Sequence, residues 1–180
     1  MTEWSLPPRE KDSDHVKGEK NMESSQEVCH INRHILIAAD ESDNANRAVS
    51  YVARMLGGLK GYRVTLINIV PVPPDDFFLT AEERLSWMTD KETKSKIILE
   101  NYRNMLIESG FEGDTVEGKM KSGDFPSVAR AILEEAAEIA ASTIVLGRRG
   151  ISKKEEFIFG STSNKILHSR KSCAALWVIE

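Results

Sequence analysis

Three glycines at fixed spacing follow an apolar run late in the chain. The run 142–146 is typical of a strand buried on both faces, and it leads into Gly147 and Gly150, which two residues separate. Nine further residues precede Gly160, which opens a predicted helix at Ser161. Glycines at a strand end let backbone amides approach a ligand closely, and a helix N-terminus presents unpaired N–H groups. The spacing predicts a phosphate cradle; the alternative is that the glycines only turn the chain.

A carboxylate, Asp40, ends the first apolar run of the chain. If the first and fourth strands are neighbours, Asp40 and Gly147 face each other across the crevice at the carboxyl edge of the sheet. A carboxylate does not favour phosphate directly, but it accepts hydrogen bonds from a ribose hydroxyl or holds a metal that offsets phosphate charge. No Walker lysine and no G-x-G-x-x-G fingerprint is present at these positions. The combination predicts a nucleotide site.

Strand and helix patterns alternate along the chain around these residues. Apolar runs predict five strands, at 34–40, 63–70, 115–121, 142–146 and 174–179, and helical spacing predicts a helix after each of the first four. This alternation predicts an α/β fold with a parallel sheet, helices on both faces and right-handed crossovers.

The second predicted helix is the least regular of the four. A capping box at 80–83 starts it and Gly110 ends it. Its polar middle, 90–96, predicts a break or an exposed turn, and residues 71–90 form either an irregular connection or a lid over a ligand. The predicted core-facing residues are Leu85, Met88, Ile98, Tyr102 and Met105. Asp124 is predicted to cap the next helix.

Composition restricts the class of protein. A chain of 180 residues with 41% hydrophobic residues suits one globular domain, predicted at 31–180, after a polar and disordered tail at 1–30. A net charge of −4 without a basic stripe argues against nucleic-acid binding, and no apolar run is long enough to span a membrane. Cys29 and Cys173 stand far apart, as expected of a reduced, cytoplasmic protein. The four histidines show no metal-ligand or triad pattern.

From residue 34 to residue 180 the chain resembles the universal stress protein family, in particular its ATP-binding branch. The family spacing of Gly, two residues, Gly, nine residues and Gly-Ser/Thr is matched at Gly147, Gly150 and Gly160. The resemblance implies an open five-stranded parallel sheet of order 3-2-1-4-5, as in adenine nucleotide alpha hydrolases, and ATP or AMP as cofactor with Mg²⁺. The implied nucleotide-binding residues are Ala39 and Asp40 for ribose and adenine, Ile69 for adenine through its backbone, and Gly147, Arg148, Gly150, Gly160, Ser161 and Thr162 for the phosphates.

The last strand, 174–179, is apolar throughout yet is predicted at the sheet edge, where it invites pairing with another chain. The resemblance implies a homodimer through this strand; otherwise the tail or a helix covers Trp177. Three functions follow: a nucleotide-dependent regulatory or stress-response protein with an unknown protein partner, a slow ATPase or autokinase, or an interaction protein that binds no ATP. In the last case we expect Arg148 and Arg149 to pair with acidic side chains and close the pocket.

Overall fold

A computed structural model describes residues 32–148, 161–169 and 174–180. The predicted tail at 1–30, both cysteines, Arg149, Gly150 and Gly160 lie outside these residues. None of the helices among the described residues combines the length and the apolar composition needed to cross a membrane.

The described residues form one sheet of five strands, all paired in parallel, in the order β3-β2-β1-β4-β5. The strands are β1 (His34–Ala38), β2 (Arg63–Pro71), β3 (Val116–Gly123), β4 (Thr143–Gly147) and β5 (Ala175–Ile179). The helices are α1 (Asp43–Leu56), α2 (Ala81–Glu108), α3 (Val128–Glu138) and α4 (Ser161–Leu167), with a 3₁₀ turn at Asp75–Phe77. The predicted fold class and the strand order are confirmed.

Two hydrophobic cores lie on opposite faces of the sheet. On one face, α1 and α2 pack Val49 and Leu106 against side chains of β1 and β2. On the other face, α3 and α4 pack Ile132 and Ile166 against alternate residues of the same strands. This alternation places successive side chains of each strand in different cores. The helices therefore cover both faces, as predicted.

The second helix differs from its prediction. No break occurs at 90–96, because α2 is continuous over 28 residues. Ion pairs of the i, i+4 type join Asp90 to Lys94 and Glu92 to Lys96, each at 2.8 Å, on the exposed side of this polar stretch. Leu85, predicted to face the core, is 68% exposed.

Burial in α2 starts only in its second half. Its buried residues are Ser95, Leu99, Tyr102 and Leu106. Of the predicted stripe, Tyr102 is buried and Ile98 and Met105 are partly buried against the core. The C-terminal end is as predicted, because Gly110 follows the cap with φ 108°, a conformation that glycine adopts without strain.

The start of α3 also differs from its prediction. Ser127 rather than Asp124 is the N-cap, and its side chain accepts a hydrogen bond from the amide of Arg130 at 3.2 Å. Pro126 explains the difference, because a proline disfavours helical backbone at the preceding residue. The helix therefore begins after the proline.

Two buried polar side chains fix the strands from within. His34 Nδ1 donates to the carbonyl of Ile139 at 3.1 Å, which leaves Nε2 to accept from the Thr65 hydroxyl at 2.9 Å. Burial, and then the nearby Arg63 charge, lower the pKa of His34 below its usual range. These contacts give His34 a structural role at the amino end of the sheet.

Glu135 is the second of these side chains, and it is fully buried. Its carboxylate contacts Lys119 Nζ at 2.7 Å and Lys121 Nζ at 3.2 Å, both on the edge strand β3. Burial alone would raise the pKa of Glu135, but its hydrogen bonds to the two ammonium groups outweigh burial and hold the pKa below its usual value.

Candidate functional site

A cavity of about 290 Å³ opens at the carboxyl edge of the sheet, where β1 separates β2 from β4. The sheet reverses its winding direction at this point, which is where open α/β sheets bind ligands. The lining divides into two halves by element. The apolar half, from the ends of β1 and β2 and from α3, consists of Ala38, Ala39, Ile67, Asn68, Ile69, Pro71, Val128 and Ile132. The polar half, from the residues after β1, the start of α1, β4 and α4, consists of Asp40, Ser42, Asn44, Ala45, Leu146, Gly147, Thr162 and Ser163.

Asp40 is held in place by the start of α1. Its Oδ1 accepts hydrogen bonds from the amide of Ser42 at 3.0 Å and from the Ser42 hydroxyl. Ser42 is also the N-cap of α1, because its hydroxyl accepts from the amide of Ala45 at 3.2 Å. The second carboxylate oxygen of Asp40, Oδ2, has no hydrogen-bond partner among the described residues. It is an acceptor available to a ligand hydroxyl or to a cation.

Helix α2 fixes the backbone of the same residue. The Tyr102 hydroxyl donates to the carbonyl of Asp40 at 3.0 Å. Burial and then the carboxylates of Asp40, Asp43 and Glu41 raise the pKa of Tyr102, so this hydroxyl keeps its proton. The backbone of Asp40 is therefore held by a side chain from the buried half of α2.

Asn68 anchors the neighbouring strand end. Its side-chain Nδ2 donates to the carbonyl of Ala39 at 2.7 Å, and the amide of Ala39 donates to the carbonyl of Ile67 at 2.8 Å. Both bonds cross from β2 to the segment that leaves β1. They keep the residues between the strand and Asp40 in one conformation.

Gly147 is required by the packing of α1. A Cβ atom at this position would lie 2.1 Å from the backbone oxygen of Asn44, far inside van der Waals contact. The start of α1 therefore occupies the space where a side chain would stand. Close helix–strand packing, rather than a turn, explains this glycine, and it brings the α1 N-terminus next to the end of β4.

Arg148 is engaged outside the cavity. Its guanidinium pairs with Glu180, and its backbone amide donates to the carbonyl of Ile179 at 2.7 Å. It is not one of the residues that line the cavity. The Arg148–Glu180 pair therefore joins the end of β4 to the end of β5 and leaves the cavity open.

The described lining contains no cationic side chain, while Asp40 belongs to it and Glu41 and Asp43 flank it in sequence. Among the described residues, no group of three or more histidine, cysteine or carboxylate side chains is placed to hold a metal ion. Asp40 is thus the one charged side chain of the described lining.

The structure brings together five of the nine predicted binding residues, namely Ala39, Asp40, Ile69, Gly147 and Thr162, which all line the cavity. Ser161 begins α4 beside them. Arg148 lies next to Gly147 but outside the lining, and Gly150 and Gly160 are not among the described residues. As binding residues, all nine stay predictions.

Several residues of the lining were not predicted from the sequence. Val128 and Ile132 pack in the hydrophobic core beneath α3 and also form the wall of the apolar half. Asn44, in the first turn of α1, was not predicted to line the cavity. Asn68 left a signal that could have been used, since it is a polar residue inside the strongly apolar run 64–70.

The fold and the cavity define an open α/β protein, covered by helices on both faces, with a cavity at the switch point of a parallel sheet. Within that class, the chain belongs to the universal stress protein family, whose model matches residues 32–173. This match confirms the family resemblance seen in the sequence. It does not distinguish the ATP-binding branch from the rest of the family.

Comparisons with individual proteins agree with this assignment. The universal stress protein YxiE of Bacillus subtilis (strain 168) is 36% identical over 69 residues, which cover 38% of this chain and 43% of that protein. The chain thus aligns with less than half of the length of this relative.

Solved structures share the fold. The universal stress protein UspA from Lactobacillus plantarum superposes with a TM-score of 0.64 at 15% identity, over 83% of this chain and 99% of that one. A universal stress protein in complex with cAMP superposes with a TM-score of 0.61 at 18% identity, over 82% of this chain and 97% of that one. At these identities the likeness establishes the fold.

Proposed function

We propose that the protein is a nucleotide-dependent regulatory or stress-response module that binds ATP, or AMP, in the cavity between β1 and β4. The observation that carries the proposal is that Gly147 and Asp40 line one cavity at the switch point of the sheet, and that Asp40 Oδ2 has no hydrogen-bond partner among the described residues. A solved universal stress protein of the same fold was obtained in complex with cAMP, which also contains an adenine and a ribose.

The two halves of the lining suit the two parts of a nucleotide. The apolar half offers a slot between strand ends and the aliphatic side chains of Val128 and Ile132, which suits a flat base. Asp40 Oδ2 would accept a hydrogen bond from a ribose hydroxyl. The phosphates would extend towards Gly147 and Thr162, in the direction of the predicted Gly150 and Gly160.

Charge argues for a divalent cation with the nucleotide. The described lining has one carboxylate and no cationic side chain. Mg²⁺ is commonly held by one or two carboxylates together with substrate phosphates, so it would enter with ATP rather than occupy a site made by the protein alone. We therefore expect ATP binding to weaken when Mg²⁺ is removed.

Calorimetric titration of the nucleotide-stripped protein with ATP and Mg²⁺ tests the proposal, with Asp40→Asn as the variant. The substitution keeps an oxygen for the Ser42 amide but removes the acceptor Oδ2, and loss of such a charged hydrogen bond weakens binding by about tenfold or more. It also removes a negative charge, which by itself would favour a phosphate. Weaker binding would therefore mean that Asp40 supports the ligand, through a ribose hydroxyl or through Mg²⁺, rather than repelling the phosphates.

Asp114→Asn is the matched control, because Asp114 precedes β3 and so lies at the opposite edge of the sheet. It should bind ATP as the unmodified protein does. Absence of binding in all three proteins would contradict the proposal, and tighter binding by Asp40→Asn would contradict the role of Asp40.

One observation favours a second candidate, an interaction protein that binds no nucleotide. Arg148 is paired with Glu180, as that alternative predicts for it. The same alternative also predicts a closed pocket, but the described residues line an open cavity. The same titration separates the two candidates.

A further inference from the structure

We propose that residues 3–8 of the N-terminal tail pair as an antiparallel strand with the outer edge of β3, and that Trp4 and Leu6 fill a groove between that edge and α2. The inference does not depend on the proposed function, because this groove and the nucleotide cavity have separate linings. It assigns an ordered segment to a tail for which the sequence predicts disorder.

The outer edge of β3 presents a regular row of backbone groups. Val64 stands opposite Val116 in the β2–β3 register, and its amide donates to the carbonyl of Thr115 at 2.8 Å. In a parallel pair this arrangement turns the N–H and C=O of Val116, and of every second residue after it, away from β2. Gly118 and Met120 therefore direct their backbone groups outward, where these groups have no partner among the described residues.

A groove of about 980 Å³ runs beside this edge, between β3 and α2. Its apolar side chains are Met88, Leu99, Val116 and Met120. A Cβ atom on Gly118 would lie 3.1 Å from the Cβ of Leu99, so α2 already covers the strand. Two helices side by side need about 8–10 Å, roughly twice the spacing of adjacent strands. The groove therefore suits an extended segment rather than the β3 edge of a second copy, which carries its own α2.

The tail enters the sheet at the end where such a strand would leave the groove. It leads into β1 at the amino edge, and three strand spacings, about 14 Å, separate β1 from a strand added outside β3. The linker of residues 9–31 can span up to about 70 Å. An antiparallel strand exits at this same edge, so the linker does not have to cross the sheet.

One antiparallel register matches the side chains on the α2 face. Trp4 and Leu6 lie two residues apart, so in a strand they point the same way. With Trp4 opposite Met120 and Leu6 opposite Gly118, both enter the groove, and Leu6 uses the space that the glycine leaves. Backbone pairing at a sheet edge with alternate side chains in a groove is a general mode of peptide recognition.

The same register places Pro8 opposite Val116. The carbonyl of Val116 already accepts a hydrogen bond from Arg103 Nε at 3.2 Å. Proline has no N–H to donate to that carbonyl, so it fits at this position without losing a bond.

Charge on the other face favours the antiparallel direction. Lysines usually discourage pairing at a sheet edge, but Lys121 is bound to Glu135 at 3.2 Å. In the proposed register Glu3 stands opposite Lys121, and Arg9 lies diagonally from Glu117, which forms no ion pair among the described residues. A parallel strand would instead bring Glu3 to the Glu117 end of β3.

Hydrogen exchange of single backbone amides, measured by NMR on the full chain, tests the pairing. The amides of Gly118 and Met120 should exchange about tenfold to a hundredfold more slowly in the unmodified protein than in Trp4→Ala, which loses the largest apolar contact of the segment. The amide of Val64 should be unaffected, because it is bonded within the β2–β3 ladder. Met22→Ala, elsewhere in the tail, is the matched control and should leave all three rates unchanged.

The same spectra report the register. Ser5 stands opposite Lys119 in a non-hydrogen-bonded pair, with Cα atoms about 4.5 Å apart, so a nuclear Overhauser effect between their Hα protons is expected. Its absence would overturn the register. Rapid exchange of both edge amides in the unmodified protein would overturn the pairing, and protection that survives Trp4→Ala would exclude the tail as its source. Protection that rises with protein concentration would overturn pairing within one chain.

Discussion

Gly147 is explained by what surrounds it rather than by its own flexibility. The backbone oxygen of Asn44 occupies the position of a side chain, so the end of β4 and the first turn of α1 touch through their backbones. The sequence marks the residue as important, but a phosphate cradle and tight helix packing both require glycine, and sequence alone does not separate them.

Gly147→Ala should therefore destabilise the fold even without a ligand. A methyl group cannot be placed without moving the start of α1, and overpacking of this kind costs about 2 kcal/mol or more. Urea denaturation measures the change in the free energy of unfolding.

Gly113→Ala is the matched control, because its added Cβ would meet no described atom closer than 3.6 Å. It should leave the free energy of unfolding nearly unchanged. Equal stability of Gly147→Ala and the unmodified protein would show that α1 yields easily and would reject the packing explanation.

Residues of the candidate site whose types are unusual for their position could be predicted from the sequence. Asp40 at a strand end and Gly147 after an apolar run stood out in the sequence. Val128 and Ile132 did not, because a side chain that lines a cavity and one that fills a core have the same apolar character. The partner of Arg148 could not be foreseen either, since the pairing with Glu180 depends on the register of β4 and β5.

At the scale of elements, the edge strand β3 is attached to α3 by charge. Lys119 and Lys121 reach the fully buried carboxylate of Glu135, and Glu138 lies 3.7 Å and 3.8 Å from the same two ammonium groups. The pKa of Glu135 is lowered in the folded protein. Its stabilising contribution is therefore complete above the ordinary pKa of 4.5 and is lost as the pH falls through the lower, folded-state value.

Replacing both lysines, as Lys119→Met with Lys121→Met, should reverse this dependence. Glu135 would then be a buried carboxylate without a cation, a loss of about 3 kcal/mol at neutral pH. Burial would now raise its pKa, so protonation would relieve the penalty. The stability difference from the unmodified protein should shrink as the pH falls from 7 to 4, measured by urea denaturation at each pH.

Lys96→Met is the control for this pair of substitutions, because it removes an exposed ion pair with Glu92. Exposed pairs contribute little, so no measurable change is expected. If the stability difference between the double lysine variant and the unmodified protein stayed constant over the same pH range, Glu135 would be excluded as its source.

Among the helices and strands, α2 shows where a sequence pattern predicted the structure incorrectly. Every predicted strand and helix exists, but the predicted break in α2 does not, because the helix runs without interruption over 28 residues. The predicted break at 90–96 rested on the expectation that a long helix needs an apolar face along its whole length. The first half of α2 stands outside the core, where that requirement does not apply.

On the scale of the whole molecule, β5 leaves one edge of the sheet unpaired among the described residues. We propose that two copies of the chain pair through this strand. The amide of Ala175 and the carbonyl of Ile179 both bond towards β4. By alternation, the backbone groups of Leu176 and Val178 point away from the sheet and are available to a second copy.

Val178→Pro should therefore abolish the homodimer while the β4–β5 ladder survives. Proline removes the outward N–H of an edge strand, which the fold tolerates. Light scattering coupled to size-exclusion chromatography measures the mass, and the melting temperature checks the fold.

Val178→Ala, which keeps the N–H, is the control and should stay dimeric. A monomeric unmodified protein would contradict the pairing directly. A dimer that persists in Val178→Pro would place the interface on another surface.

The fold as a whole was predictable because alternation of strand and helix leaves few arrangements for a parallel sheet. The order of the strands came from the family resemblance rather than from the pattern itself. Predicting the cavity required both the alternation and the strand order. The cavity exists only because β1 lies between β2 and β4, so that residues distant in sequence meet at one edge of the sheet.

That central position of β1 has a consequence for synthesis of the protein. Asp40 is synthesised well before Gly147 and Thr162, so the cavity cannot form until α4 has emerged from the ribosome. A chain interrupted before α4 would keep β1, α1 and β2 but would have no complete site. A ligand held there would stabilise only chains that include α4, and so would distinguish them from shorter fragments.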